Sequence, residues 1–355
     1  QAFDDATTNT WRTSTTGAAG SWATITDATL RKAKRSALQT GIAGIFDNAM
    51  RGAVAWASFN HKIYFPGDDY TIADLVTDTS PTLYSWDGTT AVKLLVVPPP
   101  PQAYPLPALA ITSITPYSKT ELLIGVAGRT LSPANVYGSL LLYDTITGTM
   151  EQLGPATEFK NLIITAPYVF QGRIWVAPGY ANLGSGTTLN VSWIRPGDSY
   201  WTTDAAFAAT DIGGVNMVEF LGNLYLGTHS GLGTNAATIR KRTTSTGVWS
   251  TVLSTDGTGT QSYLGPLIVT ADGLTILAYF NNGNGTAPIT RIVSSTDGAS
   301  WVTALDIPTD TGANKEVAGI PYLDSDGSIY WYIKSQSGNV GVTKKRTSAG
   351  VWSTV

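Results

Sequence analysis

The sequence predicts an all-β protein built from one repeated unit of four antiparallel strands. Two features, each returning about every fifty residues, carry this prediction. The first is a hairpin whose second strand opens on an apolar residue, as in Ser294–Trp301. The second is a pair of short apolar runs around a tight turn, found upstream of each hairpin from Ala53 onwards. Because the two features share one spacing, they belong to the same repeating unit.

The hairpin at Ser294–Trp301 reads Ser-Ser-Thr-Asp-Gly-Ala-Ser-Trp and sets the pattern for the other copies. Asp297-Gly298 suits its turn, because glycine adopts positive φ and an aspartate accepts main-chain hydrogen bonds. A tryptophan that opens the next strand offers a large apolar surface for packing between sheets. We expect one shared structural position for Trp22, Trp201, Trp249, Trp301 and Trp352.

The paired apolar runs are predicted to be the first two strands of each unit. They are nearly continuously apolar, as expected for strands covered on both faces, whereas the hairpin strands alternate as expected near solvent. Each unit is therefore predicted to be a meander with its first strand innermost and its fourth strand outermost. Repeated four-stranded units of this length are typical of a β-propeller.

Six complete units are predicted after an N-terminal segment, residues 1–52, which holds a hairpin and a connector. The approximate bounds of the units are 53–106, 107–159, 160–212, 213–262, 263–316 and 317–355. The N-terminal hairpin, Trp11–Ile25, matches only the outer strands of a unit, so we expect seven blades with an irregular first blade. Six blades with an added hairpin are the alternative. In the seven-bladed form, residues 38–50, further sequence or a partner would supply the missing inner strands.

Composition limits the classes of partner and environment. The net charge of −3 gives no general attraction to nucleic acid or to an anionic membrane. The chain has no cysteine, which excludes disulfides and thiolate metal sites, and no apolar run long enough for a membrane helix. Only 13% of its residues are charged, about half the usual share. Because the chain begins at Gln1 rather than Met, we expect a processed product or a fragment.

At Ser295–Trp301 the chain resembles the Asp-box repeat of sialidase-like propellers, and it is similar more broadly to kelch-like repeat proteins. The resemblance implies that Asp297 and Gly298 fasten a hairpin, and it implies no active site. The cysteine-free, Thr/Gly/Ser-rich composition with loose repeats is also similar to that of phage virion and tail proteins. This second similarity implies a virion or extracellular location.

The residues that could carry chemistry favour a protein without enzymatic activity. The sialidase pattern needs an arginine cluster, a Tyr–Glu pair and an aspartate at the axis, but only Glu219 among five glutamates falls in a predicted innermost strand. Arg240 and Arg242 fall in predicted outer strands. A two-carboxylate glycosidase site stays an alternative, because several aspartates share the loop that contains Asp68 and Asp69.

Metal and cofactor sites are not expected. His61 and His229, the only histidines, are predicted at opposite ends of their units, which disfavours a histidine metal site or a catalytic triad. Calcium is the one alternative, through the carboxylates of Asp68-Asp69 or of Asp324–Gly327.

The predicted working surface is the face that carries the long connections between second and third strands, since long loops on a rigid scaffold usually carry function. Its candidate residues are Asp68, Asp69, Tyr70, Tyr137, Tyr180, His229, Asn281, Asn282 and Asn284.

The predicted function is that of a non-enzymatic, extracellular or virion-associated module for structure or receptor binding, with a phage tail or capsid component as its most specific form. A glycan-binding lectin is the first alternative, and a glycosidase of sialidase-like fold is the second. The predicted partners are other virion or surface proteins, or a cell-surface glycan, with neither nucleic-acid binding nor membrane insertion.

Overall fold

The computed structural model describes the residues in the following ranges: 2–5, 10–13, 23–24, 55–67, 82–98, 108–129, 136–155, 162–164, 167–180, 189–207, 213–230, 236–255, 262–282, 289–307, 315–317, 321–335 and 341–355. In these ranges the regular structure is made of strands, as the sequence predicts. The same ranges contain no helix that is long and apolar enough to cross a membrane.

The strands are numbered in chain order. The strands up to residue 207 are β1 (Ala2–Asp5), β2 (Thr10–Thr13), β3 (Ala23–Thr24), β4 (Ala57–Phe59), β5 (Lys62–Gly67), β6 (Thr82–Trp86), β7 (Ala91–Val96), β8 (Ala108–Pro116), β9 (Glu121–Arg129), β10 (Val136–Asp144), β11 (Met150–Gln152), β12 (Leu162–Ile163), β13 (Tyr168–Phe170), β14 (Arg173–Val176), β15 (Gly179–Tyr180), β16 (Leu189–Ile194) and β17 (Thr202–Phe207). The later strands are β18 (Gly213–Phe220), β19 (Asn223–Ser230), β20 (Thr238–Arg242), β21 (Trp249–Ser254), β22 (Ser262–Val269), β23 (Ile276–Asn281), β24 (Thr290–Ser295), β25 (Val302–Ile307), β26 (Lys315–Val317), β27 (Tyr322–Leu323), β28 (Ile329–Ser335), β29 (Gly341–Arg346) and β30 (Trp352–Thr354).

Antiparallel meanders recur along the chain, as the repeats predict. The first sheet is β4 to β7, the second is β8 to β11, and the third is β13, β14, β16 and β17, with β12 and β15 forming a short extra pair. The fourth sheet, β18 to β21, and the fifth, β22 to β25, are joined because β19 also pairs with β22. In the sixth sheet, β26 and β27 both pair with β28, which is followed by β29 and β30.

The N-terminal segment forms a small sheet with the order β1-β2-β3. Strands β2 and β3 are the two halves of the hairpin that the sequence predicts. The sequence did not predict β1, which pairs with β2 through Ala2↔Thr13 and three further residue pairs. Its short run, Ala-Phe-Asp-Asp, carries no turn signal and no repeat marker. Trp22 and residues 38–50 lie outside the described residues, so the expectations placed on them stay predictions.

The chain divides into two compact units. The first contains Gln1–Asn182 and Ser192–Thr202, and the second contains Leu183–Val191 and Thr203–Val355. In the first unit, one apolar cluster joins the first and second sheets, for example through Leu83 and Leu122. Another joins the second and third sheets, for example through Leu140 and Ile174. Successive sheets in this unit therefore pack through apolar side chains.

The second unit repeats this arrangement. One cluster brings Tyr225 of the fourth sheet together with Phe280 of the fifth. Another brings Leu277 of the fifth sheet together with Trp331 of the sixth, which is fully buried. Burial also follows strand position, since all six residues of β23 are buried, whereas β21 and β25 consist of exposed and partly buried residues apart from the buried Ile307. This gradient is the one that the hydrophobic pattern predicts.

The tryptophans of the repeat lie at the start of fourth strands. Trp201 and Trp301 directly precede β17 and β25, and Trp249 and Trp352 begin β21 and β30. Trp201 belongs to the cluster of the second and third sheets, Trp301 to that of the fourth and fifth, and Trp352 to that of the fifth and sixth. These side chains pack where one sheet meets the preceding sheet.

Trp249 takes part in a polar joint with strand β17. Its indole Nε1 donates a hydrogen bond to Asp204 Oδ2 at 2.8 Å. Arg242 donates to both oxygens of the same carboxylate, from Nε at 2.8 Å and from Nη2 at 3.1 Å. The side chains of this ion pair are only 10% and 13% exposed. Two-point charge pairing in a largely desolvated place fixes β17 against β20 and β21.

The turn that follows β24 rests on a tyrosine of the fourth sheet. Ser295 Oγ donates to Asp297 Oδ1 at 2.9 Å, and the same oxygen accepts the N–H groups of Ala299 at 2.8 Å and Ser300 at 2.7 Å. These hydrogen bonds, that from Ser300 first, hold the pKa of Asp297 well below its usual value. Gly298 adopts a φ of 71° with its Cα against the Tyr225 side chain. The turn is thus fastened both internally and to the neighbouring sheet.

Candidate functional site

Several residues of the predicted working surface cannot be placed. Asp68, Asp69, Tyr70 and Asn284 lie outside the described residues, and their roles stay predictions. Tyr137 and Tyr180 were predicted in loops but lie within strands. Tyr137 is in β10 and pairs with Gly128, and Tyr180 is in β15 and pairs with Leu162. The strand ladders extend further than the apolar runs of the sequence, because main-chain pairing does not require apolar side chains.

His229 and Asn281 are brought together by the strand register. His229 of β19 pairs with Tyr263 of β22, which pairs with Asn281 of β23, which pairs with Thr290 of β24. Directly paired residues of antiparallel strands point to the same face of a sheet, so these four side chains form a row. The imidazole of His229 stacks on the Tyr263 ring with centroids 5.8 Å apart. Sequence reasoning missed Tyr263, because nothing in the sequence marks the pairing of β19 with β22.

Three members of this row are buried, and the fourth, Tyr263, is partly exposed. His229 is 3% exposed, Asn281 2% and Thr290 3%. Asn281 Nδ2 lies 3.4 Å from the hydroxyl of Tyr279 and 3.5 Å from Thr290 Oγ1. The buried members support the strand ends, and solvent reaches the row mainly at Tyr263.

Asn282 also has a supporting role in this region. Its side-chain Oδ1 accepts the main-chain N–H of Ile289 at 2.6 Å, and the main-chain N–H of Asn282 donates to the carbonyl of Ile289 at 3.2 Å. The side chain, 6% exposed, thereby ties together the two ends of the connection between β23 and β24.

Burial keeps His229 neutral, because it lowers the pKa of this imidazole to about 4. A histidine in the unfolded chain titrates near 6.5. Between these values the unfolded chain binds a proton that the folded chain does not, so stability falls as the pH drops through this window. His229 is therefore suited to a structural role at neutral pH and is not a charged contact.

We expect H229Q to reduce this acid sensitivity. The wild-type free energy of unfolding should fall by roughly 1 kcal/mol per pH unit between pH 6.5 and 4.5 through His229, and the variant should lack that contribution. Urea unfolding at several pH values measures the difference in slope. His61 is exposed, so H61Q serves as the matched control and should keep the wild-type slope. Equal slopes for H229Q and wild type would show that His229 is not buried as described.

The described aspartates with shifted pKa act in turns. Asp87 accepts the N–H groups of Thr90 at 2.8 Å and Thr89 at 2.9 Å, and these bonds lower its pKa to about 2. Asp326, a candidate calcium ligand, accepts both the N–H of Ser328 at 2.7 Å and its hydroxyl at 3.0 Å. Within the described residues, no group of three or more acidic or histidine side chains is placed to hold a metal ion.

An acidic hollow lies on the second sheet. It has a volume of about 270 Å³, and its acidic lining residues are Glu121, Asp144 and Glu151. Glu121 and Asp144 are directly paired across β9 and β10, and Glu121 accepts a hydrogen bond from Ser118 Oγ at 2.7 Å. No sequence motif marks this hollow, because strand register brings Glu121 of β9 beside Asp144 of β10.

Known structures share the architecture of these sheets. No protein-family model matches the chain, and no curated protein sequence matches it. A GH74 enzyme of Niastella koreensis superposes with a TM-score of 0.54 at 12% identity, over 86% of this chain and 45% of that one. The GH74 xyloglucanase of Xanthomonas campestris superposes with a TM-score of 0.55 at 11% identity, over 87% and 46%. The chain spans about half the length of these enzymes.

The strand order, the burial gradient and these similarities define the fold class. The chain is an all-β protein with the fold of a β-propeller made of antiparallel sheets. At such low identity the similarity concerns the fold, and the function has to be argued from this chain's own residues.

Proposed function

We propose that the chain is a non-enzymatic binding module, and that it contacts its partner through the long connections between second and third strands. The observation that carries the proposal is the contrast between the two ends of the first, third and fourth sheets. First and second strands are joined by two residues at Asn60-His61, Gln171-Gly172 and Leu221-Gly222. The second-to-third connections include the much longer stretches 68–81, 181–188 and 231–237. Long connections on a rigid scaffold are where proteins usually place recognition.

The chemistry of the described acidic groups supports binding over hydrolysis. A glycosidase needs one carboxyl group with a raised pKa to protonate the leaving oxygen. The described aspartates with shifted pKa, namely Asp87, Asp272, Asp297 and Asp326, are all shifted downward by hydrogen bonds in turns. These carboxylates stabilise turns by accepting hydrogen bonds, and a lowered pKa does not suit a general acid.

In its most specific form the proposal places the module on a virion, as a phage tail or capsid component that contacts other virion proteins or a cell-surface glycan. A low charged fraction, with a surface rich in Thr, Ser and Gly, supports this form. This form predicts a large ordered oligomer or co-purification with particles, whereas a lectin would stay monodisperse and bind a sugar column. Neither the virion component nor the lectin requires a calcium ion near Asp324 and Asp326.

Glycan hydrolysis is the second candidate function. The observation that favours it is the hollow that gathers Glu121, Asp144 and Glu151, because glycosidases act through pairs of nearby carboxyl groups. Xyloglucan is the natural first probe for this candidate, since one structural neighbour is a xyloglucanase.

A glycan panel that includes xyloglucan tests the proposed binding surface. We expect Y70A/Y180A to weaken binding by about tenfold or more without changing the melting temperature, because aromatic faces stack on sugar rings. The control is I146A/L221A, which removes exposed apolar side chains, 76% and 57% accessible. Both lie at the short-turn ends, which are the ends of the sheets that carry the turns between first and second strands and between third and fourth strands. Unchanged binding by Y70A/Y180A, or equal loss in the control, would contradict the proposed surface.

A further inference from the structure

We propose that Arg173 and Arg195 of the third sheet form a binding site for an acidic saccharide, separate from the long-connection surface. Arg173 begins β14 and Arg195 directly follows β16. The two residues flank the paired Ile174 and Ile194, and therefore face each other across the strands at the short-turn end of the sheet.

Both guanidinium groups lie against one indole ring. The Cζ atom of Arg173 is 4.0 Å from the centroid of the Trp193 ring, and that of Arg195 is 5.5 Å from it. Trp193 itself is held in the sheet by pairing with Trp175, which is fully buried. The ring thus gathers two positive charges at one place and orients both.

These two charges lack an acidic partner in the described part of the chain. The ion pairs found there are Arg242–Asp204 and Lys345–Asp326, and neither involves Arg173 or Arg195. Asp198 is near in sequence, but its carboxylate accepts the main-chain N–H of Arg195 at 3.0 Å. Like charges that face each other across strands are unfavourable, so the arrangement is relieved when an anion binds both groups.

The sister sheets show that the arginines are not a requirement of the repeat. In the fourth sheet the residues that flank the pair Leu224↔Arg242 are Asn223 and Thr243. In the sixth sheet the residues that flank Ile329↔Arg346 are Ser328 and Thr347. Four uncharged residues thus hold the positions that two arginines hold in the third sheet. Turn residues and repeated tryptophans do not reveal this difference, because it concerns the residues at the ends of the strands.

The proposed class of ligand combines the two arginines with an exposed aromatic residue in the connection that follows Arg195. Tyr200 lies in the turn that Arg195 begins, and its side chain is 74% exposed. Guanidinium groups bind carboxylate or sulfate through paired hydrogen bonds, and an exposed tyrosine ring offers a face to a sugar ring. A saccharide that carries carboxylate or sulfate groups matches both features. The net charge of −3 disfavours a long polyanion such as RNA, which binds through many basic residues.

Binding to polygalacturonate and to dextran sulfate tests the site, with uncharged dextran as the reference. The first probe reports carboxylate recognition and the second reports sulfate recognition. We expect the wild-type chain to bind at least one acidic probe, and R173N/R195T, which introduces the residues of the fourth sheet, to weaken that binding by about tenfold or more. Y200A should weaken saccharide binding but leave the affinity for inorganic sulfate unchanged.

The charge-matched control is K62T/K119T, which also removes two exposed cations at short-turn ends and should change affinity less than about twofold. R195T alone changes only an exposed residue, and it keeps the test decisive if the double variant unfolds. The proposal is overturned if the wild-type chain binds neither acidic probe, if R195T and the double variant bind like wild type, or if RNA is preferred over both saccharides. Loss of this site would leave binding through Tyr70 and Tyr180 intact, so the two proposals fail separately.

Discussion

Replacing Asp204 by asparagine is expected to lower the free energy of unfolding by about 3–5 kcal/mol, because it removes the carboxylate that pairs with Arg242 at two points in a largely buried place. Arg242 is 9% exposed, and the carboxylate also accepts the Trp249 indole N–H. An asparagine keeps the shape but offers one neutral oxygen in place of a charged pair. Urea unfolding followed by tryptophan fluorescence measures the loss.

The matched control is D306N. Asp306 lies in the fourth strand of the fifth sheet, as Asp204 lies in that of the third, but it is exposed, so a change within about 0.5 kcal/mol is expected. A double variant, D204N/R242M, also removes the buried guanidinium charge and should recover part of the loss. A loss below about 1 kcal/mol in D204N would show that the joint does not hold β17 in place.

Replacing Gly298 by alanine is expected to destabilise the chain by about 3 kcal/mol, the sum of two effects. A non-glycine residue is strained at φ 71°, and its Cβ would collide with the ring and hydroxyl of Tyr225. Gly222 separates these effects, since it has the same φ of 71° but open space around its Cβ position. G222A should therefore lose only about 1 kcal/mol.

A second change isolates the collision. Tyr225 OH is buried without a hydrogen-bond partner among the described residues, so Y225F alone should be neutral or slightly stabilising. Y225F/G298A should recover part of the loss of G298A, because the nearest colliding atom is gone. Equal losses for G298A and G222A would mean that this turn does not rest on the fourth sheet.

The sequence predicts the sheets well because the signals that define them are local. Asp297-Gly298 marks a turn by its own backbone chemistry, and the apolar runs mark inner strands by their composition. The strand β1 lacks both signals and was missed. The pairing of β19 with β22 was missed as well. It joins the fourth sheet to the fifth, and its register depends on how these two sheets pack.

The candidate sites depend more strongly on such long-range register. His229 and Asn281 could be singled out by their place in the repeat, but the sequence could not show that Tyr263 lies between them in one row of side chains. Asp204 was missed because its partners, Arg242 and Trp249, come from another sheet. The difference at Arg173 and Arg195 was accessible in principle, since it appears when equivalent strand ends are compared across repeats.

Release of reducing ends from the glycan panel is the most direct test of the claim that this propeller binds without catalysis. The full chain is incubated with xyloglucan and with each glycan that it binds, and reducing ends are measured against a no-protein blank. The account predicts binding with no release above the blank. Release in many-fold molar excess over the protein, lost in a variant of Glu121 or Asp144, would contradict it and would make the chain a glycosidase.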